Sequence, residues 1–455
     1  MRYFTALRAG ALAAVVALAP GFAHAESLRQ ALEQAYTNNP SILSALLNVK
    51  ATAENIALAK AGMRPNVALS GKVNKVIQTG DVAAIGGDES SSYSLGLNLS
   101  QNLFDSFKTD ANIEQARALT ELSKYSLDSA VQNIMLAVVQ AYYNVQRDTQ
   151  LVQLRSDNLG FFDAQLKSAE DRLELGEGTK IEVSQARARQ AQAVASYKTA
   201  VAQLQTSQAS YERYVGVKPR NLSGEFDVTP LLPRSIEAAM DLADANNPAL
   251  LAARAQIRVA QAGVDAANSA FGPSLSLIGN ICAVGCFGGD SSVTGQSAAV
   301  SLQLSVPIYG GGALGASVRK ASLQQSKTEA DALAARDQIH EAVISSWSSL
   351  QNVTSQIQSA ESGVAAGQAA LEGVIEERDV GQKTTLDVLN AQAEVTSSRE
   401  GLISARSSRM VAAFSVLSAV GRLNAVELGL SVQVHSADGY IAKVEDVWAE
   451  LRTLE

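Results

Sequence analysis

The side chains best suited to catalysis or metal binding are few and scattered in this chain. Beyond residue 25 there are two histidines, His340 and His435, far apart and without a neighbouring cysteine. No HExxH, paired-histidine, GxSxG or Walker pattern occurs, so the sequence predicts no metal site, no nucleophilic catalysis and no nucleotide binding. We therefore expect a protein that is not an enzyme and that carries no cofactor and no metal.

The two cysteines, Cys282 and Cys286, are separated only by AVG and lie near a glycine-rich stretch. In an exported protein, two cysteines this close either form a local disulfide or remain free thiols. We expect the disulfide, at the tip of a hairpin. It would add little stability because the loop that it closes is very short.

The most regular arrangement of hydroxyl and carboxyl side chains is a motif that occurs twice. LGEGTKIEV starts at Leu175 and VGQKTTLDV starts at Val380, and both follow the pattern apolar–Gly–x–x–Thr–x–x–acid–Val. The glycine permits a left-handed backbone, and the threonine with the acid three residues later can form a capping box for a following helix. The residues concerned are Gly176, Thr179 and Glu182 in the first copy and Gly381, Thr384 and Asp387 in the second. The motif thus predicts a turn between two helices, with or without a further role.

The first 25 residues have the features of a secretory signal peptide. Arg2 and Arg8 precede the apolar ALAAVVALAP, and Ala23-His24-Ala25 is a cleavage pattern. A retained anchor is the alternative, although the apolar run is too short to span a bilayer. Removing this segment, which has two arginines and no acid, changes the formal charge from −8 to −10. An acidic exported chain is a poor partner for nucleic acid.

The sequence after residue 25 indicates one tandem duplication. Two Asn-Asn-Pro sequences end at Pro40 and Pro248, and the two Gly-x-x-Thr motifs recur at nearly the same offset. No proline occurs between Pro65 and Pro219, and none follows Pro307. Because proline costs about 3 kcal/mol inside a helix, these gaps permit very long helices.

Each repeat is predicted to contain a helix, a β-hairpin, a long helix, a turn and a further helix. The predicted segments are the signal peptide at 1–25, a first repeat at 26–218, a linker at 219–234, a second repeat at 235–423 and a C-terminal segment at 424–455. The hairpins are placed at about 66–106 and 273–309, and the turns at about 175–180 and 380–385. We expect the opening helices to run unbroken from Ser27 to about Ala61 and from Ser235 to about Ala270. Each long helix would cover roughly 65–68 residues, or about 100 Å.

The predicted hairpins alternate strictly between apolar and small polar residues. In SSYSLGLNLSQNLF, Leu95, Leu97 and Leu99 alternate with serine, glycine and asparagine, and VSLQLSVPIY follows the same rule. One apolar face and one polar face over about ten residues is typical of a barrel strand with lipid outside and water inside. Half-buried strands of a soluble sandwich are the alternative.

Two hairpins supply only four strands, too few to close around a pore, and edge strands left unpaired in lipid are unstable. Three copies would supply about twelve strands, which lies within the range of known barrels. The predicted fold class is therefore a mixed α/β membrane protein in which a homotrimer shares a 12-stranded transmembrane β-barrel and a long α-helical barrel. Each chain contributes four strands and two tandem repeats.

On these features the chain resembles the TolC family of outer-membrane efflux and secretion channels. The resemblance covers nearly the whole mature chain and rests on the twofold repeat, the two NNP sequences, the strand exits NLFDSFK and PIYGGGALG, and above all GEGTKIEV and GQKTTLDVLNAQ. It implies a channel-tunnel subunit in the cell outer membrane that extends into the periplasm. The C-terminal segment is then expected to pack at the periplasmic equator of the tunnel.

The resemblance also implies partners. Such channels export small molecules or polypeptides in a tripartite efflux or type I secretion system, as homotrimers that act with a periplasmic adaptor (membrane fusion) protein and an inner-membrane pump of RND or ABC type. Lipid of the outer membrane surrounds the barrel. The competing hypothesis is an exported periplasmic coiled-coil adaptor or adhesin stalk, which would have long helices without two matched amphipathic hairpins.

By the same resemblance, the helix reversals form the periplasmic tip of the tunnel. A ring that narrows the pore maps onto Asp387 and, one turn later, Asn390, where the family often has a second acid. Contacts that hold the tip shut map onto Glu182, Arg378 and Lys383. The alternative is that these are solvated charges that flank a turn, since exposed ion pairs contribute only about 0–1 kcal/mol each.

Overall fold

The computed structural model describes residues 26–76, 90–224, 226–287, 295–445 and 447–448. The predicted signal peptide lies outside these residues, as do the hairpin connections at 77–89 and 288–294. Among the described residues, no helix is both long enough and apolar enough to cross a bilayer.

The two repeats fold into the same series of elements. The first repeat contains α1 (Leu28–Asn38), α2 (Pro40–Lys60), β1 (Asn66–Val76), β2 (Ser90–Phe104), α3 (Lys108–Glu174) and α4 (Lys180–Val215). The second contains α5 (Ile236–Asn246), α6 (Pro248–Ser269), β3 (Ser274–Phe287), β4 (Gly295–Ser305), α7 (Ala313–Asp379) and α8 (Thr385–Ala419), and α9 (Asp438–Glu445) follows. Both α3 and α7 have 67 residues, which corresponds to about 100 Å at 1.5 Å per residue.

The prediction of one unbroken opening helix in each repeat was wrong. Asn39 ends α1 and also caps α2, where its side-chain oxygen accepts a hydrogen bond from the Ser41 N–H at 2.9 Å and Pro40 occupies the first turn. Asn247 does the same between α5 and α6. Proline fits the first turn of a helix, because an N–H there would have no intrahelical partner. The Asn-Pro pair is therefore a helix start.

Each of these asparagines also ties the first helices of its repeat to the last helix of the same repeat, near the middle of the molecule. The Asn39 amide nitrogen donates to the carbonyl of Tyr214 at the end of α4, and that of Asn247 donates to Ala419 at the end of α8, both at 2.9 Å. The main apolar core lies at this level. Its largest fully buried side chains include Tyr142, Tyr211 and Phe414.

The four strands form one antiparallel sheet in the order β1-β2-β3-β4. Its register aligns the alternating residues into continuous rows across the strands. One apolar row is Leu69, Leu97, Ile281 and Ala298, and a neighbouring polar row on the opposite face is Ser70, Gly96, Cys282 and Ser297. The apolar side chains are largely exposed, with Leu69 at 70% and Ile281 at 58%. The sheet thus has an uncovered apolar face.

The predicted disulfide between Cys282 and Cys286 was wrong. Both residues lie in strand β3, where their Cα atoms pair with those of Gly96 and Ser92. Four residues of extended chain span about 13 Å, well beyond the roughly 7 Å that a disulfide tolerates between Cα atoms. Cys282 is a free thiol on the polar face of the sheet.

The C-terminal segment runs from the level of the core toward the sheet. It begins at the core, with the Arg29 side chain donating to the carbonyl of Gly429 at 2.8 Å and His435 stacked on Tyr36 at 4.8 Å between ring centroids. It then continues along α2 and α3 toward the sheet. We refer to residues 429–445 and 447–448 as the C-terminal strap.

Candidate functional site: two helix reversals

The turns that join α3 to α4 and α7 to α8 have the same backbone conformation. Gly176 has φ +82° and Gly381 has φ +83°, in the left-handed region that favours glycine. In each turn the N–H that follows the glycine bonds back to a carbonyl in the last turn of the preceding helix, at 2.9 Å in the first repeat and 2.8 Å in the second. Each motif therefore reverses the chain between a 67-residue helix and a shorter partner.

Both turns contain a complete capping box. The Thr179 hydroxyl accepts from the Glu182 N–H at 3.2 Å, and the Glu182 carboxylate accepts from the Thr179 N–H at 2.9 Å. Thr384 and Asp387 repeat this exchange at 3.3 and 2.9 Å, and the Thr384 hydroxyl also donates to the Asp387 carboxylate at 2.8 Å. Glu182 and Asp387 thus satisfy backbone donors at the starts of α4 and α8.

Capping has an electrostatic consequence for Asp387. Hydrogen bonds from the Thr384 backbone N–H and hydroxyl hold the pKa of the Asp387 carboxyl below its ordinary value, and nearby Lys383 acts in the same direction. The carboxylate therefore stays charged at neutral pH while it caps the helix.

Asn390 lies one turn after Asp387 on α8 and contacts the other helical hairpin. Its side-chain oxygen accepts a hydrogen bond from Arg189 Nη2, on α4, at 2.7 Å. Arg189 was missed by the sequence reasoning, because its partner lies 201 residues away and no local pattern connects them. This bond joins the two helical hairpins of one chain a short distance from their turns.

Arg378, in the last turn of α7, also reaches across to the first hairpin. Its side chain is only 18% exposed, and it donates to Asp379 at 2.7 Å and to Gln165 of α3 at 3.1 Å. Lys383 is exposed at the turn itself. The matching position of the first turn holds Gly178, where an added Cβ would lie 3.0 Å from a backbone nitrogen. The two turns therefore differ in the charge that they present.

A second connection between the hairpins lies further from the turns. Arg155 of α3 and Glu400 of α8 form an ion pair with an N–O distance of 2.7 Å, and burial raises the pKa of the Glu400 carboxyl while Arg155 opposes that shift. The Thr396 hydroxyl donates to the Asn158 side-chain oxygen at 2.9 Å. These residues line a groove of about 180 Å³ between α3, α4 and α8. None was singled out from the sequence.

In the described parts of the chain, no group of three or more His, Cys, Asp or Glu side chains is placed to hold a metal ion. The chemistry at the two turns consists of capping, charge and hydrogen bonds between helices.

Comparison with known proteins identifies the architecture. The family model described as "Outer membrane efflux protein" matches residues 31–217 and 239–422, one span in each repeat. The chain is 34% identical over 430 residues to the outer membrane efflux protein BepC of Brucella suis biovar 1, an alignment that covers 94% of this chain and 92% of BepC. It is 25% identical over 419 residues to the outer membrane protein TolC of Vibrio cholerae, covering 88% of this chain and 92% of that protein.

Among solved structures, the CmeC outer membrane channel of Campylobacter jejuni has a TM-score of 0.76 at 17% identity, covering 92% of this chain and 89% of that one. At this identity the likeness concerns the fold alone. The predicted combination of long helices and a four-stranded sheet, in a TolC-like chain, is confirmed.

Proposed function

Because the chain belongs to the outer membrane efflux protein family, it is a channel subunit of the outer membrane and not an enzyme, and we propose that three copies assemble into one export conduit. The sheets of the three chains close into a barrel in the lipid, and the long helices form a tunnel through the periplasm. Family membership sets aside the alternative of a periplasmic adaptor or adhesin stalk.

The observation that carries the trimer is the pair of unpaired edges on the sheet. Among the described strands, β1 bonds only to β2 and β4 bonds only to β3, so one edge of each outer strand has free backbone donors and acceptors. In lipid such groups cost several kcal/mol each unless they are paired. Pairing β4 of one copy with β1 of the next satisfies both edges. Three copies give a closed barrel of about twelve strands.

The helical layer has matching exposed edges. On α2, Leu43 and Leu47 are 54% and 53% exposed one turn apart. On α7, Leu333 and Ile344 are 64% and 43% exposed, eleven residues apart and therefore on one face. Within the chain α2 packs on α3 and α7 on α6, so these faces lie at opposite edges of the layer. A neighbouring copy would cover both.

The test is single-channel conductance of the purified protein in a planar bilayer, with the mass of the assembly measured on the same sample. We expect a mass of three chains and discrete conductance steps. A monomer, or a trimer that never conducts under any voltage or salt condition, would refute the proposal.

We propose further that the two helix reversals form the periplasmic tip, with Asp387 and Asn390 in a ring that narrows the pore. Because Asn390 carries no charge, the ring has one acid per chain and therefore three per trimer. Replacement of Asp387 by Asn removes these charges. It should weaken cation selectivity and block by multivalent cations, and Glu376→Gln, at an exposed acid near the end of α7, is the control.

We propose that contacts between neighbouring helical hairpins hold the tip closed. Arg378 supports this role because it bridges α7 to Gln165 of α3. Glu182 lies at the first turn and Lys383 at the second. Each contact is weak, but three symmetric copies acting together could shift a closed–open equilibrium by a few kcal/mol.

The partners proposed for the tip are a periplasmic adaptor protein and an inner-membrane pump of RND or ABC type. A photo-crosslinking residue at exposed Lys383 tests this contact in cells. An adduct with an adaptor is expected there, and none is expected from the same residue at Lys320 near the other end of α7. Equal adducts at both positions, or none at Lys383, would count against docking at the tip.

A further inference from the structure

The C-terminal strap ends at an exposed tryptophan beside the sheet. Trp448 is 70% exposed, and the guanidinium of Arg64 lies 4.3 Å from its ring centroid. Arg64 also donates to the carbonyl of Val447, so it fixes the backbone and the ring of the strap at once. Arg64 precedes β1 by two residues, so its contacts place Trp448 near the start of that strand.

The strap is held on this path by a series of contacts along α2. Tyr440 donates to Glu54 at 2.6 Å, and Lys50 lies over its ring at 5.4 Å. Glu445, three residues before the tryptophan in the sequence, accepts hydrogen bonds from Lys60 at 3.2 Å and from Arg117 at 3.0 Å. The position of Trp448 therefore results from bonds spread over the length of the strap.

Other exposed aromatic side chains mark the same end of the sheet. Phe104 ends β2 and Phe107 follows it, at 38% and 69% exposure. Phe271 precedes β3 at 51%, and Tyr309 follows β4 at 88%. β1 and the residues just before it contain no aromatic residue. Among the four described strands, β1 is the one without an aromatic residue within its bounds or within four residues of this end, and the strap places Trp448 there.

Trp and Tyr are enriched where a membrane protein meets the head-group region, because their rings are amphipathic. Outer-membrane barrels carry such aromatic residues at both interfaces. We propose that Trp448 and Arg64 form a contact site for phospholipid of the leaflet that faces the periplasm, with the indole at the head-group boundary and the guanidinium beside the phosphates. The C-terminal strap thereby anchors the helical tunnel to the membrane near the start of β1.

This inference rests on the proposed membrane placement of the sheet, so the experiment must separate the two. The chain has only two tryptophans, Trp347 and Trp448. Trp347→Phe leaves Trp448 as the single reporter, and Trp448→Phe leaves Trp347, which packs at the level of the core. A third variant, Leu302→Trp in a background without either tryptophan, reports on the apolar face of the sheet itself.

The full-length variants are reconstituted into phosphatidylethanolamine–phosphatidylglycerol vesicles with phosphatidylcholine brominated either near the head group or near the methyl end. We call the bromine near the head group the shallow label and the bromine near the methyl end the deep label. We expect the shallow label to quench Trp448 fluorescence at least about twofold more strongly than the deep label, as the proposed interfacial position of Trp448 requires. Trp347 should respond to neither label, and Leu302→Trp should respond to both.

Arg64→Gln, made in the Trp347→Phe chain, should reduce shallow quenching of Trp448 because the ring loses its positioning partner. If Trp448 instead responds only to aqueous iodide while Leu302→Trp is quenched by lipid, the strap is not a lipid anchor and the placement of the sheet stands. If neither Trp448 nor Leu302→Trp is quenched by lipid, the placement of the sheet fails as well, and the lipid site with it.

Discussion

The apolar face of the sheet can be tested by two neighbouring substitutions on strand β2. Leu97 is the central residue of Ser90–Phe104, and its row partners are Leu69 and Ile281. The next residue, Asn98, points to the opposite face and donates to the Ser70 hydroxyl at 3.3 Å. We expect Leu97→Arg to place a charge in lipid near the middle of the membrane and Asn98→Arg to place it in the water-filled lumen.

The expected loss of stability depends on how deep in the membrane the substituted residue lies. An arginine on the lipid face of a barrel costs about 2–4 kcal/mol at the midplane and about 0–1 kcal/mol near an interface. Since each 1.4 kcal/mol is tenfold, Leu97→Arg should lower the folded-to-unfolded ratio per chain about thirty- to several-hundred-fold. Asn98→Arg should cost only the loss of one weak hydrogen bond, about 1 kcal/mol or less.

The assay is urea unfolding of the protein in lipid vesicles, read from the fraction that migrates as folded trimer on an unheated gel. Leu97→Met controls for lost packing, because it changes shape while keeping the position apolar. If Asn98→Arg destabilises as much as Leu97→Arg, the two faces are misassigned. If Leu97→Met matches Leu97→Arg, packing between strands, and not exposure to lipid, governs the position.

Three further outcomes are expected. Asn247→Ala removes the cap of α6 and the hydrogen bond to Ala419 at the end of α8. It should lower stability by about 0.5–2 kcal/mol or slightly more in thermal unfolding, and an unchanged transition would contradict the capping role. The hydrogen bond from Arg117 holds the pKa of the Glu445 carboxyl below its ordinary value. The contribution of this carboxylate to the stability of the strap is therefore present above the usual carboxyl range and is lost as pH falls through the lowered pKa. The strap should then become accessible to protease, whereas in Glu445→Gln protease accessibility should not change with pH over this interval. Arg378→Glu should raise single-channel conductance by loosening the tip. Lys320→Glu, on the same helix far from the turn, should leave the conductance unchanged. Equal conductance of both variants in a channel that is closed at rest would place the closing contacts elsewhere.

The features that follow from local periodicity could be predicted from the sequence. Alternation in SSYSLGLNLSQNLF determines the faces of β2, because successive side chains of a strand point to opposite sides. The absence of proline permitted the long helices, and Thr179 and Thr384 each signalled a helix start through the acid three residues later. These signals are contained within a few residues of chain, so no partner had to be known.

The Asn-Pro breaks could also have been found, since proline after a capping residue is a known helix start. They were missed because a single opening helix was assigned across each Asn-Pro pair, from Ser27 to about Ala61 and from Ser235 to about Ala270. The cysteine prediction failed because the pair was placed at the tip of a hairpin, whereas both residues lie in strand β3, where the extended chain holds their Cα atoms too far apart for a bridge.

Contacts between segments that are distant in the chain could not be predicted from the sequence. Arg155 and Glu400 are separated by 245 residues, and Arg189 and Asn390 by 201. No spacing rule connects such residues until the fold is known. The strap is a similar case, because nothing in the last residues indicates that Glu445 will meet Arg117 on another helix.

The duplication explains why the two turns can act together. α3 and α7 have the same length, and both begin directly below the sheet and end at the same type of reversal. Arg378 can meet Gln165, and Arg189 can meet Asn390, only if the two hairpins end at the same level. An insertion in one long helix would shift its turn by 1.5 Å per residue and separate these pairs, unless the other helix changed equally. The matched lengths are therefore a requirement of the tip, whereas the linker at 219–234 is free of that constraint.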